Sequence, residues 1–326
     1  MLLDSHQRVH NYLRISLTDV CNMRCVYCMP NEEMQFASAK NLMQTDELLH
    51  IAKLFVALGV DKIRLTGGEP LVRKDVGEII TELGKWDIKL AITTNGQLID
   101  RYIQTCKEAG LQSINVSLDT LNAARFLALT KRDQFHQVKK NIDLLLQHNF
   151  SVKVNMVVMK GLNEDEINDF VRWTYATPIH IRFIEFMPFA DNRWQSSKVF
   201  TYAQMLETIS EEFSFIKLAD EKNDTTKKYT CYGHAGTFAV ISTMTSPFCS
   251  TCNRLRLTAD GKLKNCLFSK EETDLLTPLR LGQDITPLLL QNVRSKKQAL
   301  GGQLPIDFTT TDTSTLENRS MIKIGG

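Results

Sequence analysis

Thr18-Asp19-Val20-Cys21-Asn22-Met23-Arg24-Cys25-Val26-Tyr27-Cys28 carries three cysteines in the spacing C-x3-C-x2-C. In a cubane [4Fe–4S] cluster each iron needs a terminal ligand, and thiolate is the soft donor that such clusters prefer. Three cysteines in one short loop leave one iron open to a small molecule. Zinc is the competing reading, yet a zinc knot favours two-residue gaps and a fourth Cys or His nearby. After Cys28 the next such residue is His50. Cys21, Cys25 and Cys28 are therefore read as an iron–sulfur site.

The run before the triad, Tyr12 to Leu17, reads as a β-strand and opens a rhythm that continues to about residue 187. Further strands are expected at Lys62 to Thr66, Lys89 to Thr93, Ser113 to Leu118, Val152 to Val158 and His180 to Phe186. Amphipathic stretches lie between them, such as Thr45 to Leu58, closed by Gly59, and Asn163 to Tyr175. The second is expected to open with Asn163 as N-cap and Glu166 three residues on. Alternating strands and helices predict a parallel sheet. Six such units are too few to close an eight-stranded barrel, so the expected fold is α/β, a partial open (β/α)6 TIM-like barrel. The open side would admit a large substrate.

The chemically suggestive motifs fall just after these strands. They are Cys21 to Cys28, Gly67-Gly68-Glu69-Pro70, Thr94-Asn95-Gly96, Asp119 and Met187-Pro188. Barrels place active sites at this end. Gly67-Gly68 and Asn95-Gly96 taken singly read as tight turns; their alignment at one end of the sheet favours a site.

From about residue 190 the rhythm breaks, and Asp220 to Lys228 reads as a polar connector. The division is set at 1–218 for the barrel and 219–326 for a smaller α+β extension that binds a second metal site. That extension carries Cys249-Ser250-Thr251-Cys252 and then Cys266, a C-x2-C-x13-C pattern approached by Pro247. Zinc competes on equal terms here, with Cys231 or His234 as fourth ligand. Beside the first triad a second open [4Fe–4S] cluster is the better reading, since both would share assembly and protection from oxygen.

Within Asn253-Arg254-Leu255-Arg256-Leu257, extension would put Arg254 and Arg256 on one face, within reach of one anion. Arg14, Arg64, Arg73, Lys153 and Arg182 add cations along or near the strands. Arg182, between Ile181 and Phe183, needs a partner, with Glu185 or a cofactor carboxylate as the candidates. No G-x4-G-K-[ST] phosphate loop occurs, so a nucleotide would rely on these side chains.

Thirty-nine Lys and Arg against thirty-seven Asp and Glu give +2, which provides no global field for nucleic acid. No basic segment followed by a long apolar run opens the chain, and no stretch approaches ~18 apolar residues. The expectation is a soluble, cytoplasmic protein without membrane or nucleic-acid contacts. Six of the eight cysteines fall in the triads, as suits reduced thiolates; Cys106 reads as a small core residue, and Cys231 has no pairing pattern.

Taken together, the two cysteine triads, Leu65-Thr66-Gly67-Gly68-Glu69-Pro70, Thr93-Thr94-Asn95-Gly96, Ile114-Asn115-Val116-Ser117-Leu118-Asp119, Arg182-Phe183-Ile184-Glu185-Phe186-Met187-Pro188, Cys252-Asn253-Arg254-Leu255-Arg256 and the terminal Gly325-Gly326 resemble the GTP 3′,8-cyclase family. This is a branch of the radical S-adenosylmethionine enzymes, whose signature Tyr27 completes. The resemblance implies a lyase of molybdenum cofactor biosynthesis with S-adenosylmethionine and two [4Fe–4S] clusters, held by Cys21, Cys25 and Cys28 and by Cys249, Cys252 and Cys266. It implies that Tyr27, Gly68, Ser117 and Met187 line the S-adenosylmethionine site. Arg14, Arg64, Thr94, Lys153, Arg254, Leu255 and Arg256 would bind GTP, and Arg254, Arg256, Gly325 and Gly326 would act in catalysis, the tail entering the active site. It further implies a low-potential donor such as flavodoxin, a cyclic pyranopterin monophosphate synthase as functional neighbour, and a homodimer as the assembly to test.

Two readings compete. One is a radical S-adenosylmethionine enzyme that modifies a peptide with an auxiliary cluster, although those usually carry more C-terminal cysteines. The other is a non-enzymatic two-site zinc protein that binds nucleic acid, against which the near-neutral charge and the lack of an interleaved basic and aromatic face both argue.

Overall fold

The computed structural model describes residues 1–30, 36–190 and 192–325. The six expected strands form, each within one residue at either end: β1 (Tyr12–Ser16), β2 (Lys62–Thr66), β3 (Lys89–Thr94), β4 (Ser113–Ser117), β5 (Ser151–Val158) and β6 (His180–Glu185). Their crossovers hold α1 (Thr45–Ala57), α2 (Val76–Gly84), α3 (Ile103–Glu108), α4 (Ala123–Thr130), α5 (Phe135–Gln147) and α6 (Ile167–Trp173). Then come α7 (Tyr202–Ser210), β7 (Phe215–Lys217), β8 (Lys227–Cys231), β9 (Thr237–Ile241), β10 (Arg254–Leu257), β11 (Lys262–Lys264) and β12 (Thr273–Asp274). Helices α8 (Leu276–Arg280), α9 (Thr286–Arg294) and α10 (Met321–Ile324) end the described chain.

The C-terminal strands extend the same sheet, whose order is β12-β11-β10-β1-β2-β3-β4-β5-β6-β9-β8-β7. β10 runs parallel to β1 and β9 parallel to β6, and antiparallel neighbours finish each edge. β9 and β10 do not pair, so the barrel stays open.

Alternation along each strand separates two environments. In β1, Leu13 and Ile15 are fully buried in the core that includes Leu48, Ile51 and Phe55 of α1. Each such side chain contributes about 1.5–3 kcal/mol by leaving water. Tyr12 and Arg14, on the other face, line the barrel interior. A second core of Met159, Phe186, Phe189, Trp194, Phe268, Leu300 and Ile324 packs against Tyr27, Met187, Cys249 and Cys266.

Three local expectations are corrected. Asn163 is no side-chain cap: it accepts from Met159 N at 2.9 Å and donates to the Asp119 and Val157 carbonyls at 2.8 and 2.9 Å. Glu166 accepts from Thr120 Oγ1 and Leu121 N, both at 2.5 Å. Both side chains are spent fastening the segments after β4 and β5, so a short 3-10 turn precedes α6. Of the polar connector, Lys227 and Lys228 belong to β8, because they pair with Val240 and Ala239 of β9. Glu185 is not the partner of Arg182. Three positions apart on β6, the two point to opposite faces, and Glu185 accepts from Tyr202 N, Met244 N and Thr245 N at 2.9, 2.7 and 3.0 Å.

Candidate active site

A cavity of about 720 Å³ fills the open barrel. All six triad cysteines border it, as do Arg14, Arg64, Thr94, Lys153, Arg254, Arg256, Tyr27, Gly68, Ser117 and Met187. The first triad, Gly68, Ser117 and Met187 stand at or just beyond the C-terminal ends of their strands, whereas Cys249 and Cys252 precede β10, which runs parallel to β1, and so stand at the other end. Leu255 is the exception: its side chain is fully buried in the outer core, on the face opposite Arg254 and Arg256. Arg73 turns away, bound to Asp75 at 2.7 Å and the Leu17 carbonyl at 2.9 Å. Cys231, buried in β8, and His234, 2.8 Å from Thr174 Oγ1, do not border the cavity. Gly326 lies outside the described residues.

The first triad is shaped by a close backbone crossing. Gly68 N donates to the Thr18 carbonyl at 2.7 Å and Glu69 N to the Val20 carbonyl at 2.9 Å. A Cβ on Gly68 would lie 2.5 Å from the Val20 oxygen, so only glycine admits this approach. Glu69, fully buried, accepts from Leu71 N, Thr94 Oγ1 and Asn95 N at 3.0, 2.7 and 2.6 Å. Burial raises its carboxyl to about 7 against these donors. The hydroxyl of Thr94 is thus engaged within the protein. Tyr27 OH donates to Asp119 Oδ2 at 2.7 Å, and Val157 N donates to Oδ1 at 2.9 Å. Burial pushes Asp119 up to about 6 and the Cys21 and Cys28 thiols to about 11 and 12.

At Cys252 of the second triad the balance of charge is opposite. Lys296 Nζ donates to Cys252 Sγ at 3.4 Å, and Leu300 N donates to Cys249 Sγ at 3.4 Å. Burial would raise the Cys252 thiol, but Lys296 and Arg254 outweigh it and hold it below the ordinary value. Among the described residues no three His, Cys, Asp or Glu side chains are drawn together as for one metal ion.

Between the triads stands a row of cations. Arg256 on β10, Arg14 on β1 and Arg64 on β2 are direct cross-strand neighbours. Like charges so placed repel. Burial, then Arg256, holds Arg14 well below the ordinary arginine value, and burial, then Arg254, holds Arg256 near 10. Arg182 is held at about 9 by burial and Arg64, and Lys153 at about 7 by burial and Arg182. Arg64 is aimed by bonds from Nε to Tyr12 OH at 2.6 Å and from Nη1 to the Ile92 carbonyl at 2.8 Å. The C-terminal tail closes this region: Ile324 is buried, and the Gly325 carbonyl accepts from Arg256.

A profile described as Radical SAM superfamily matches residues 15–174, and one described as Molybdenum Cofactor Synthesis C matches residues 179–301. Over 333 residues the chain is 46% identical to the mitochondrial GTP 3′,8-cyclase of Arabidopsis thaliana, covering 100% of this chain and 84% of that one. The chain belongs to the GTP 3′,8-cyclase family. The GTP 3′,8-cyclase of Peptoclostridium acidaminophilum is 40% identical, with 100% and 98% covered. Molybdenum cofactor biosynthesis protein 1 of Homo sapiens is 43% identical over 99% of this chain and 51% of its own length, so the chain spans about half of that relative. Among solved structures, Streptococcus suis SuiB bound to S-adenosylmethionine shares the fold, with a TM-score of 0.58 and 16% identity over 89% of this chain and 68% of that one.

In this member of the GTP 3′,8-cyclase family, sequence reasoning missed Tyr12, Lys62, Arg8 and Lys296. Tyr12 and Lys62 were within its reach, since each stands two residues before an inward arginine on the same strand and so shares its face. Arg8 and Lys296 carried no such signal, because they act on cysteine-loop atoms more than forty residues away.

Proposed function

We propose that this chain is a radical S-adenosylmethionine GTP 3′,8-cyclase, a lyase that converts GTP to (8S)-3′,8-cyclo-7,8-dihydroguanosine 5′-triphosphate in molybdenum cofactor biosynthesis. The observation that carries the reading is the in-register row Arg256, Arg14 and Arg64, set between two cysteine triads in one cavity. Such a row concentrates positive charge in the cavity, and a triphosphate matches it in sign and scale.

The donor sets fit iron–sulfur clusters. Each triad offers three free cysteines to one cavity, Cys21 buried and the other five half-buried, and thiolate is the preferred terminal ligand. Cys21, Cys25 and Cys28 would hold one [4Fe–4S] cluster, and Cys249, Cys252 and Cys266 the other. With S-adenosylmethionine bound, the first cluster would supply the radical chemistry that closes the bond between the 3′ carbon of GTP and C8 of guanine. Tyr27, Gly68, Ser117 and Met187 would line the S-adenosylmethionine end. Arg14, Arg64, Lys153, Arg254 and Arg256 would hold the triphosphate, with Thr94 and Leu255 contributing main chain, since the structure engages or buries their side chains. The tail through Gly325 and Gly326 would exclude water from the reacting atoms.

The barrel at 1–218 would carry the radical chemistry, and the extension at 219–326 the second cluster. No helix among the described residues is long and apolar enough to cross a membrane. Eight unpaired cysteines favour a reducing compartment, and we assign the cytoplasm. A low-potential donor such as flavodoxin, a following cyclic pyranopterin monophosphate synthase and a homodimeric assembly complete the proposal.

The test is anaerobic turnover of the reconstituted protein with S-adenosylmethionine, dithionite and GTP, read by mass spectrometry. 5′-Deoxyadenosine together with the cyclised nucleotide is expected. Deoxyadenosine with GTP intact would remove GTP as the substrate.

A further inference from the structure

The two triads differ in what touches their sulfurs. At the first, the donors to Cys21 Sγ among the described residues are neutral, Met23 N at 3.4 Å and Asn95 Nδ2 at 3.9 Å. Arg24 is close by, but it donates to the carbonyls of Cys21 and Met23 at 2.5 and 2.9 Å and to no sulfur. Asp119, buried, borders that end of the cavity, and Glu69 lies buried beside the cysteine loop, its amide bonded to the Val20 carbonyl at 2.9 Å. At the second triad a buried ammonium touches sulfur directly. Lys296, 3% exposed, donates to Cys252 Sγ at 3.4 Å and to the Arg254 carbonyl at 3.0 Å. No carboxylate among the described residues stands at ion-pair distance from it.

The position of Lys296 is held by its surroundings. It follows α9, with its amide donating to the Val293 carbonyl at 3.2 Å. Arg8 fastens the next two residues, donating to the Lys297 and Gln298 carbonyls at 2.8 and 2.7 Å, and reaches the Cys249 carbonyl at 2.7 Å. Lys296 and the cysteine loop therefore belong to one braced unit.

We propose that Lys296 is a positioning residue that sets the reduction potential of the second cluster above that of the first. A charge-assisted N–H···S bond withdraws charge from a ligating thiolate and favours the more negative, reduced cluster. At the first triad the neutral donors act in the same sense more weakly and a buried carboxylate opposes them, as suits a cluster that must reduce S-adenosylmethionine. The first electron from a limiting reductant then rests on the second cluster. This inference depends on the assignment of Cys249, Cys252 and Cys266 to a cluster.

The test is an anaerobic potentiometric titration of the reconstituted full chain, followed by electron paramagnetic resonance. C21S/C25S/C28S and C249S/C252S/C266S variants isolate the two signals. The signal that survives loss of the first triad is expected to appear at the higher potential. Lys296→Met should move it to lower potential while leaving the first cluster's signal and the iron content in place. Lys296→Gln, which keeps a donor without charge, should produce a smaller shift in the same direction and covers the case in which the methionine variant fails to fold. An unchanged second potential in Lys296→Gln at full iron content would overturn the inference with the cluster assignment intact. Failure of the C21S/C25S/C28S protein to take up iron and sulfide would overturn both.

Discussion

Arg256 Nη1 donates to the Gly325 carbonyl at 2.8 Å, tying the C-terminal tail to the inner face of β10. A Cβ on Gly325 would lie 2.7 Å from Thr66 Oγ1 and 2.8 Å from Ser16 Cβ, and its φ of +88° disfavours any other residue. Backbone strain of this kind costs about 1–3 kcal/mol. Gly325→Ala is therefore expected to lower formation of the cyclised nucleotide by about tenfold or more, with iron content unchanged. Wild-type turnover in this variant would show that the tail plays no part.

GTP binding should take up protons. Burial, then Arg182, Arg64 and Lys62, hold Lys153 at about 7, below its unfolded value of 10.5. A bound triphosphate favours the charged form and raises that value. Below pH 7 Lys153 is already charged and affinity is level; above it, affinity falls by up to about tenfold per unit until the raised value is reached. Calorimetry at pH 8 in two buffers with different protonation heats should give different apparent enthalpies, and Lys153→Met should abolish the difference. Equal heats in the wild type would refute the role of Lys153.

Gly68→Ala is expected to separate the loop after β2 from the first triad. The new methyl group meets the Val20 and Asp19 carbonyls at 2.5 and 2.8 Å, both backbone atoms that cannot swing aside. The protein should lose the iron of the first cluster and its binding of S-adenosylmethionine while retaining the second cluster. Full iron content with normal binding would contradict this account.

Arg8→Ala should destabilise the second triad from outside the cavity. Arg8 Nε pairs with Asp4 at 2.6 Å, with the side chains 8% and 0% exposed. Removing one member of a buried pair costs about 3–5 kcal/mol, since the other charge is left without its counterpart. The Cys249 carbonyl loses its donor as well. A lower melting temperature is expected, with iron lost from the second cluster before the first. A variant that melts like the wild type would exclude the brace.

Much of this protein was legible along the chain because its information is local. Strand positions followed from short β-rich runs between helical stretches, and the placement of Arg254 and Arg256 on one face followed from alternation. Where a side chain is spent in tertiary structure, local rules failed. Asn163 carries cap chemistry but fastens β4 to β5, and Glu185, near Arg182 in sequence, faces the opposite way because strand neighbours three apart never share a face.

The two triads, the βα rhythm and the inward cations could be read along the chain, since each is a matter of residue type at fixed spacing. That Arg256, Arg14 and Arg64 stand in one row emerges from folding, because their strands are joined by sheet register and not by chain order. Folding likewise brings Lys296 to Cys252 and Gly325 to Arg256. Those contacts cross 44 and 69 residues of chain, and only the packing of α9 and the tail against the sheet can bring their atoms together.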